Sequence, residues 1–149
     1  MRAVLQRVSS AEVTVAGRSV GRIGRGLLVL LGVEKGDGPD DLAYTTTKIR
    51  ELRCFADDEG RMNRSVEEVG GSLLVVSQFT ICGDTRRGRR PSFDGAAPPE
   101  QARALYEDAV RQWRAAGLGV ETGEFQAMMA VSLVNDGPVT FIVDSRRRL

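Results

Sequence analysis

The chain has 149 residues, 42% of them hydrophobic, with 21 basic against 20 acidic side chains, a net charge of +1 and no histidine. That length suits one domain over residues 1–149, and a domain of this size buries roughly 70% of the surface its unfolded chain exposes, so no disulfide or metal staple is needed. The missing histidine excludes serine triads, Cys-His dyads and histidine-ligated metals, and the near-neutral charge predicts no general attraction to nucleic acid.

Residues 1 to 34 read as β, with RAVLQRVSSAEVTV, RSVGRIG and GLLVLLGV giving three or four strands that turn at Ala16-Gly17 and at Gly24 to Gly26. Arg7 sits where a secretory signal would carry its apolar centre, and the longest apolar stretch, Leu27 to Leu31, is too short to span a bilayer. Cys54 and Cys82 form no C-x-x-C pair. A cytoplasmic protein with no membrane partner is expected.

DGPDDLAYTTTKIRELRCF reads as a helix. Pro39 lies in its first turn, Asp40 and Asp41 face the positive end of its dipole, Lys48, Arg50 and Arg53 face the negative end, and Leu42, Ile49 and Leu52 share one face. ADDEGRMNRSVEEVGG is a polar connection with a short edge element. In SLLVVSQFT, residues 72–80, Leu73 to Val76 fit a strand buried on both faces, yet Ser77, Gln78 and Thr80 make a polar exit. Such residues are ordinary where a strand meets water, so the spelling alone leaves a plain strand end and a functional one both open.

Arg86, Arg87, Arg89 and Arg90 then fall in GDTRRGRRPSF against Asp84 alone. The planar guanidinium fork suits phosphate, and a solvated loop is the alternative. A second helix runs from about Pro98 to Ala116, with Trp113 as a core residue and Gly117 as its cap. FQAMMAVSLVNDGPVTFIVDS gives two strands flanking Asn135 to Pro138. The whole reads as an α+β domain on a mixed or antiparallel sheet.

QRVSSAEVTV, LLVLLGVEKGD, LLVVSQFT, DTRRGRRPSF, APPEQARALYE and VSLVNDGPVTF follow an order and spacing that closely resemble the D-aminoacyl-tRNA deacylase family along essentially the whole chain. The resemblance implies a hydrolase, without cofactor or metal, that cleaves the ester joining a D-amino acid or glycine to the 3′-terminal adenosine of tRNA. It implies a mixed, mostly antiparallel sheet, two main helices and a barrel-like homodimer core. In that family the pocket sets Ser77, Gln78, Phe79 and Thr80 of one subunit against Gly137 and Pro138 of the other. The pair, joined by a cis bond, acts as a chiral filter, and Arg7 matches the arginine that orients it. The arginine loop, beside such a cleft, is expected to bind tRNA phosphates.

With no histidine present, backbone N–H groups suit the oxyanion, and the family reading assigns water activation to the neighbouring ribose hydroxyl of the substrate. Thr80 is expected to position the substrate, since no basic partner for its hydroxyl is visible. An L side chain would strike Gly137 and Pro138, whereas glycine would pass. Ile81, Cys82 and Gly83 stand where the family often has leucine, tyrosine and alanine, Met128 replaces a residue that is often acidic, and the tail SRRRL has no counterpart in the resemblance. Two rivals stay open: a small-molecule esterase using Thr80 or Ser77, and a non-catalytic RNA-binding or oligomeric module.

Overall fold

The computed structural model describes residues 1–149. Strand β1 (Arg2–Val15) organises the sheet. One edge pairs antiparallel with β2 (Arg18–Ile23) and with β3 (Gly26–Gly32), while the opposite edge runs antiparallel to β8 (Ala130–Asp144). Beyond β3 the pairing turns parallel, through β6 (Ser72–Ser77) to β7 (Gly119–Thr122). Parallel neighbours need long crossovers, and the two helices supply them. Helix α1 (Pro39–Glu51) and the small hairpin of β4 (Phe55–Ala56) and β5 (Met62–Arg64) join β3 to β6, and α2 (Pro99–Ala115) joins β6 to β7. The bend at Gly24-Arg25 folds β2 across the sheet. Gly21 then lies so close to the Thr122 carbonyl and to Leu74 that a Cβ there would not fit, and the sheet becomes nearly barrel-shaped.

The continuous apolar runs of β3 and β6 have a simple cause: alternate residues feed two cores. Leu27, Val29, Leu31, Leu73 and Val75 pack beneath the helices with Ile49 and Trp113, whereas Leu28, Leu74 and Val76 join Val8 and Val13 on the other face. Trp113 is a core residue as expected, its indole N–H donating to the Thr46 carbonyl at 3.0 Å. In place of two strands flanking a turn at Asn135 to Pro138, β8 is one strand that stays antiparallel to β1. Its register jumps from Gln6↔Thr140 to Val8↔Asn135, so residues 136–139 bulge out opposite Arg7. Gly119–Thr122, given no element from the sequence, becomes a strand because the α2 crossover delivers it to the free edge of β6; it is too short to show a period.

The tail arginines have partners that the sequence does not reveal. Arg148 reaches Asp144 at 2.9 Å and Glu34 at 2.5 Å, while Arg146 reaches Asp37 at 3.1 Å. Asp37 also holds the buried amino group of Met1 at 2.8 Å. Burial alone would raise the Asp144 carboxyl, but hydrogen bonds from the Arg148 side chain and from the Arg146 and Arg148 amides outweigh it and lower it to about 2. A carboxylate depressed by folding stabilises fully above its unfolded value of about 3.9 and loses that contribution as pH falls through the folded one. Asp144→Asn is therefore expected to reduce unfolding free energy by roughly 2 kcal/mol at neutral pH and by little near pH 2. Urea unfolding across that range checks it.

Candidate active site

Strand β6 stops at Ser77, which pairs with Leu31 of β3. The chain does not simply run out into water: the Gln78 amide donates to the Leu31 carbonyl at 2.8 Å, and Phe79–Cys82 coil into one 3-10 turn directly on the end of β3. The first backward bond of the turn runs from Ile81 to the Gln78 carbonyl, so the Phe79 and Thr80 amides precede it and have no partner within the turn. The Gln78 side-chain amide donates to the Thr80 hydroxyl. No base contacts that hydroxyl. Burial, helped by Glu34, pushes the nearby Cys82 thiol up to about 11, and burial raises Cys54 as well, so neither supplies a thiolate.

Gly32 makes this seat possible. A Cβ there would come 2.6 Å from Ile81 Cγ1, 2.8 Å from Cys82 Sγ and 3.0 Å from the Gln78 carbonyl. A cavity of about 670 Å³ opens beside the turn, with Ser77, Gln78 and Phe79 on one side and Phe125, Met128 and Met129 on the other. None of its lining side chains is ionisable.

Phe79 is 55% exposed and meets Phe93 edge-on, with ring centroids 5.1 Å apart. Phe93 lies just beyond the arginine loop, whose ends are tied by paired backbone bonds between Asp84 and Ser92. The loop thus stands on the Phe79 side of the cavity. Its four arginines divide. Arg86 grips Asp84 at 2.7 and 2.9 Å and holds that carboxyl well below the usual range, whereas Arg87, Arg89 and Arg90 are exposed and have no acidic partner.

Gly137 and Pro138 occupy the bulge of β8, exposed and joined by a cis peptide bond. Arg7 fixes the approach to them: Nε donates to the Asp136 carbonyl at 2.9 Å and lies 3.4 Å from its carboxylate, and Nη1 donates to the Cys54 carbonyl at 2.8 Å. Asn135 closes the base of the bulge. Its amide donates to the Arg7 and Val139 carbonyls at 3.0 Å and accepts from the Val139 amide at 3.1 Å. A Cβ at Gly137 would run into the Val139 amide and lie 2.6 Å from its Cγ2, so the bulge itself requires glycine. Asn135 and Gly32 were not singled out in the sequence. An amide-bearing residue two positions before Gly137 was the available sign for the first, and nothing marked the second.

Each group is assembled, but the two groups are apart. The turn lies level with Ala3 of β1, the pair lies level with Arg7, and β8 and β6 sit on opposite sides of β1 and β3. Strand geometry separates them by about 13 Å along the strands and about 14 Å across them.

A buried strand that ends in a hydrogen-bonded polar turn beside an apolar cavity, without any ionisable side chain in it, defines a scaffold that offers backbone donors rather than a side-chain base. Residues 4–144 match the family described as D-Tyr-tRNA(Tyr) deacylase. Proteins named D-aminoacyl-tRNA deacylase from Syntrophotalea carbinolica and Symbiobacterium thermophilum are 61% and 58% identical, covering 99% of this chain and 99% and 97% of their own. A solved structure described as c-Myc DNA Unwinding Element Binding Protein superposes with a TM-score of 0.91 at 40% identity, covering 97% of this chain and 98% of that one. One described as a probable eukaryotic D-amino acid tRNA deacylase shares the fold, with a TM-score of 0.80 at 21% identity, covering 95% of this chain and 97% of its own. The chain belongs to the D-aminoacyl-tRNA deacylase family.

Proposed function

We propose that the protein hydrolyses the ester between a D-amino acid, or glycine, and the 3′-terminal adenosine of tRNA, and that it does so in the cytoplasm as a symmetric homodimer. The observation that carries this reading is the Ser77–Thr80 turn at the mouth of an apolar cavity, with amides at its start that have no partner within the turn. The cavity's apolar walls suit the adenine ring, and the ester then lies at the turn. Amides held rigidly by β3 stabilise the oxyanion that develops as water attacks. The attacking water is activated by the neighbouring ribose hydroxyl, since this chain brings no base to the cavity.

Chirality is assigned to Gly137 and Pro138, and their separation from the turn within one chain supports their supply by a second copy. A symmetric dimer creates two such shared sites. The outer edge of β8 is unpaired, and Val134 and Ile142 are 57% and 60% exposed, which supports a partner on that side. Backbone groups of the pair capture the substrate's amino group; a D side chain points away, and an L side chain meets Gly137 and Pro138. Incubation with D- and L-tyrosyl-tRNA tests the reading: the D ester is expected to disappear and the L ester to persist. Equal loss, or binding with no loss, would refute it.

Thr80 positions the substrate through its bond with Gln78. Thr80→Ala is expected to lower turnover about tenfold to a hundredfold without abolishing it, as loss of a positioning contact does; a trapped aminoacyl ester on Thr80 would overturn this. In the loop, Arg87, Arg89 and Arg90 contact tRNA phosphates, while Arg86 holds the loop's shape. Neutralising Arg87 and Arg89 together is expected to raise KM for tRNA and to reduce its salt dependence by about one unit of slope per lost contact. Arg86→Ala is expected to act through loop order instead, with a smaller change in slope.

A further inference from the structure

Basic side chains without an acidic partner gather in a second place, on the outer face of α1. Lys48 and Arg147 are exposed, and both lie over the Tyr44 ring, with Nζ 5.5 Å and Cζ 5.1 Å from its centroid. Arg53 continues the face, bonded to the neutral Asn63 at 3.3 Å. Tyr44, Lys48 and Arg53 line a hollow of about 540 Å³. Glu51 lines it too, but is met by Arg50 at 3.3 Å. The arginines of α2 differ, since Arg103 and Arg111 are paired with Glu107 and Asp108 and Arg114 donates to the Val120 carbonyl at 2.9 Å. Among the tail arginines, Arg146 and Arg148 close onto carboxylates, and Arg147 alone turns to the aromatic ring.

We propose that this face binds the sugar-phosphate backbone of the substrate tRNA, away from the cavity that takes its 3′ end; the proposal rests on the deacylase reading. Position carries it. Arg53 is followed by Cys54, whose carbonyl accepts from Arg7, and Arg7 holds Asp136 next to Gly137. The Arg53 end of the patch therefore borders the segment that reaches into the second copy's cleft, and a tRNA whose terminal adenosine fills that cleft is carried from there across α1. The chemistry fits as well. Two uncommitted cations beside a ring offer charge to phosphates and a flat apolar surface to a ribose or an unpaired base. A contact of this kind is independent of base sequence.

The test compares the wild type with the Lys48→Ala/Arg147→Ala variant on two substrates, intact D-tyrosyl-tRNA and the D-tyrosyl ester of the trinucleotide CCA. On intact tRNA, KM is expected to rise about fivefold or more, and the slope of its logarithm against the logarithm of salt to fall by about 1.5, as for two lost phosphate contacts. Turnover, and all constants on the trinucleotide ester, are expected to stay unchanged. Lys48→Glu/Arg147→Glu should enlarge the effect in the same direction. An unchanged KM and slope on intact tRNA would overturn the patch while leaving the deacylase reading intact, and so would an equal loss on both substrates. A wild type that cleaves neither ester would overturn both readings.

Discussion

Arg7→Ala is expected to lose discrimination before it loses turnover, with the ratio of D- to L-tyrosyl-tRNA hydrolysis falling on the order of a hundredfold. Arg7 is the link between the bulge of β8 and the chain after α1: one guanidinium holds the Asp136 and Cys54 carbonyls at 2.9 and 2.8 Å. Without it, Asn135 still closes the base of the bulge, but the side-chain anchor that ties Asp136 to the chain after α1 is lost. If the pair rejects by collision, as proposed, a shift of its wall by about 1 Å disables it, since misplacements of that size cost about 10²-fold in rate. Arg7→Lys keeps the charge but not the two-pronged grip, and should fall between the two. Paired rate measurements on both substrates check this. A variant that melts at lower temperature yet keeps its D/L ratio would show that Arg7 only supports the fold.

Gly32→Ala should strike turnover itself. Its methyl group would lie 2.6 Å from Ile81 Cγ1 and 2.8 Å from Cys82 Sγ, so the 3-10 turn must lift off β3. Overpacking of this kind typically costs about 1–3 kcal/mol of stability. The amides at the start of the turn move with it, and their worth depends on fixed placement, so kcat on D-tyrosyl-tRNA is expected to drop about a hundredfold with KM nearly unchanged. Steady-state kinetics beside a melting curve separates the two effects. Full activity in a folded variant would show that the turn tolerates displacement and that the amides do not carry the chemistry.

What could be read from the sequence followed from locality. The runs at Leu27 to Leu31 and Leu73 to Val76 announce strands covered on both faces, because each residue has a core to enter. α1 and α2 announce themselves through prolines at their starts and apolar faces of helical period. The polar exit of β6 was visible, but its coiling onto Gly32 was not, since that depends on the end of another strand. Arg7 and Asp136 are 129 residues apart, and no local pattern links them. The tail arginines were unexplained for the same reason: Glu34 and Asp37 come to them only when β3 and β8 are in place. NDGPV carries the same turn chemistry as an ordinary hairpin, and what keeps β8 one strand there is continuous pairing with β1 on both sides of the bulge.

The cavity beside Ser77 has no side chain of its own that gains or loses a proton. Most hydrolases carry a titrating base that ties their rate to the acidity of their surroundings. On the proposed reading, the lining of this cavity is expected to contribute equally in mildly acidic and mildly alkaline buffer. A rate that varies across that range would then trace to the substrate or to groups outside this cavity.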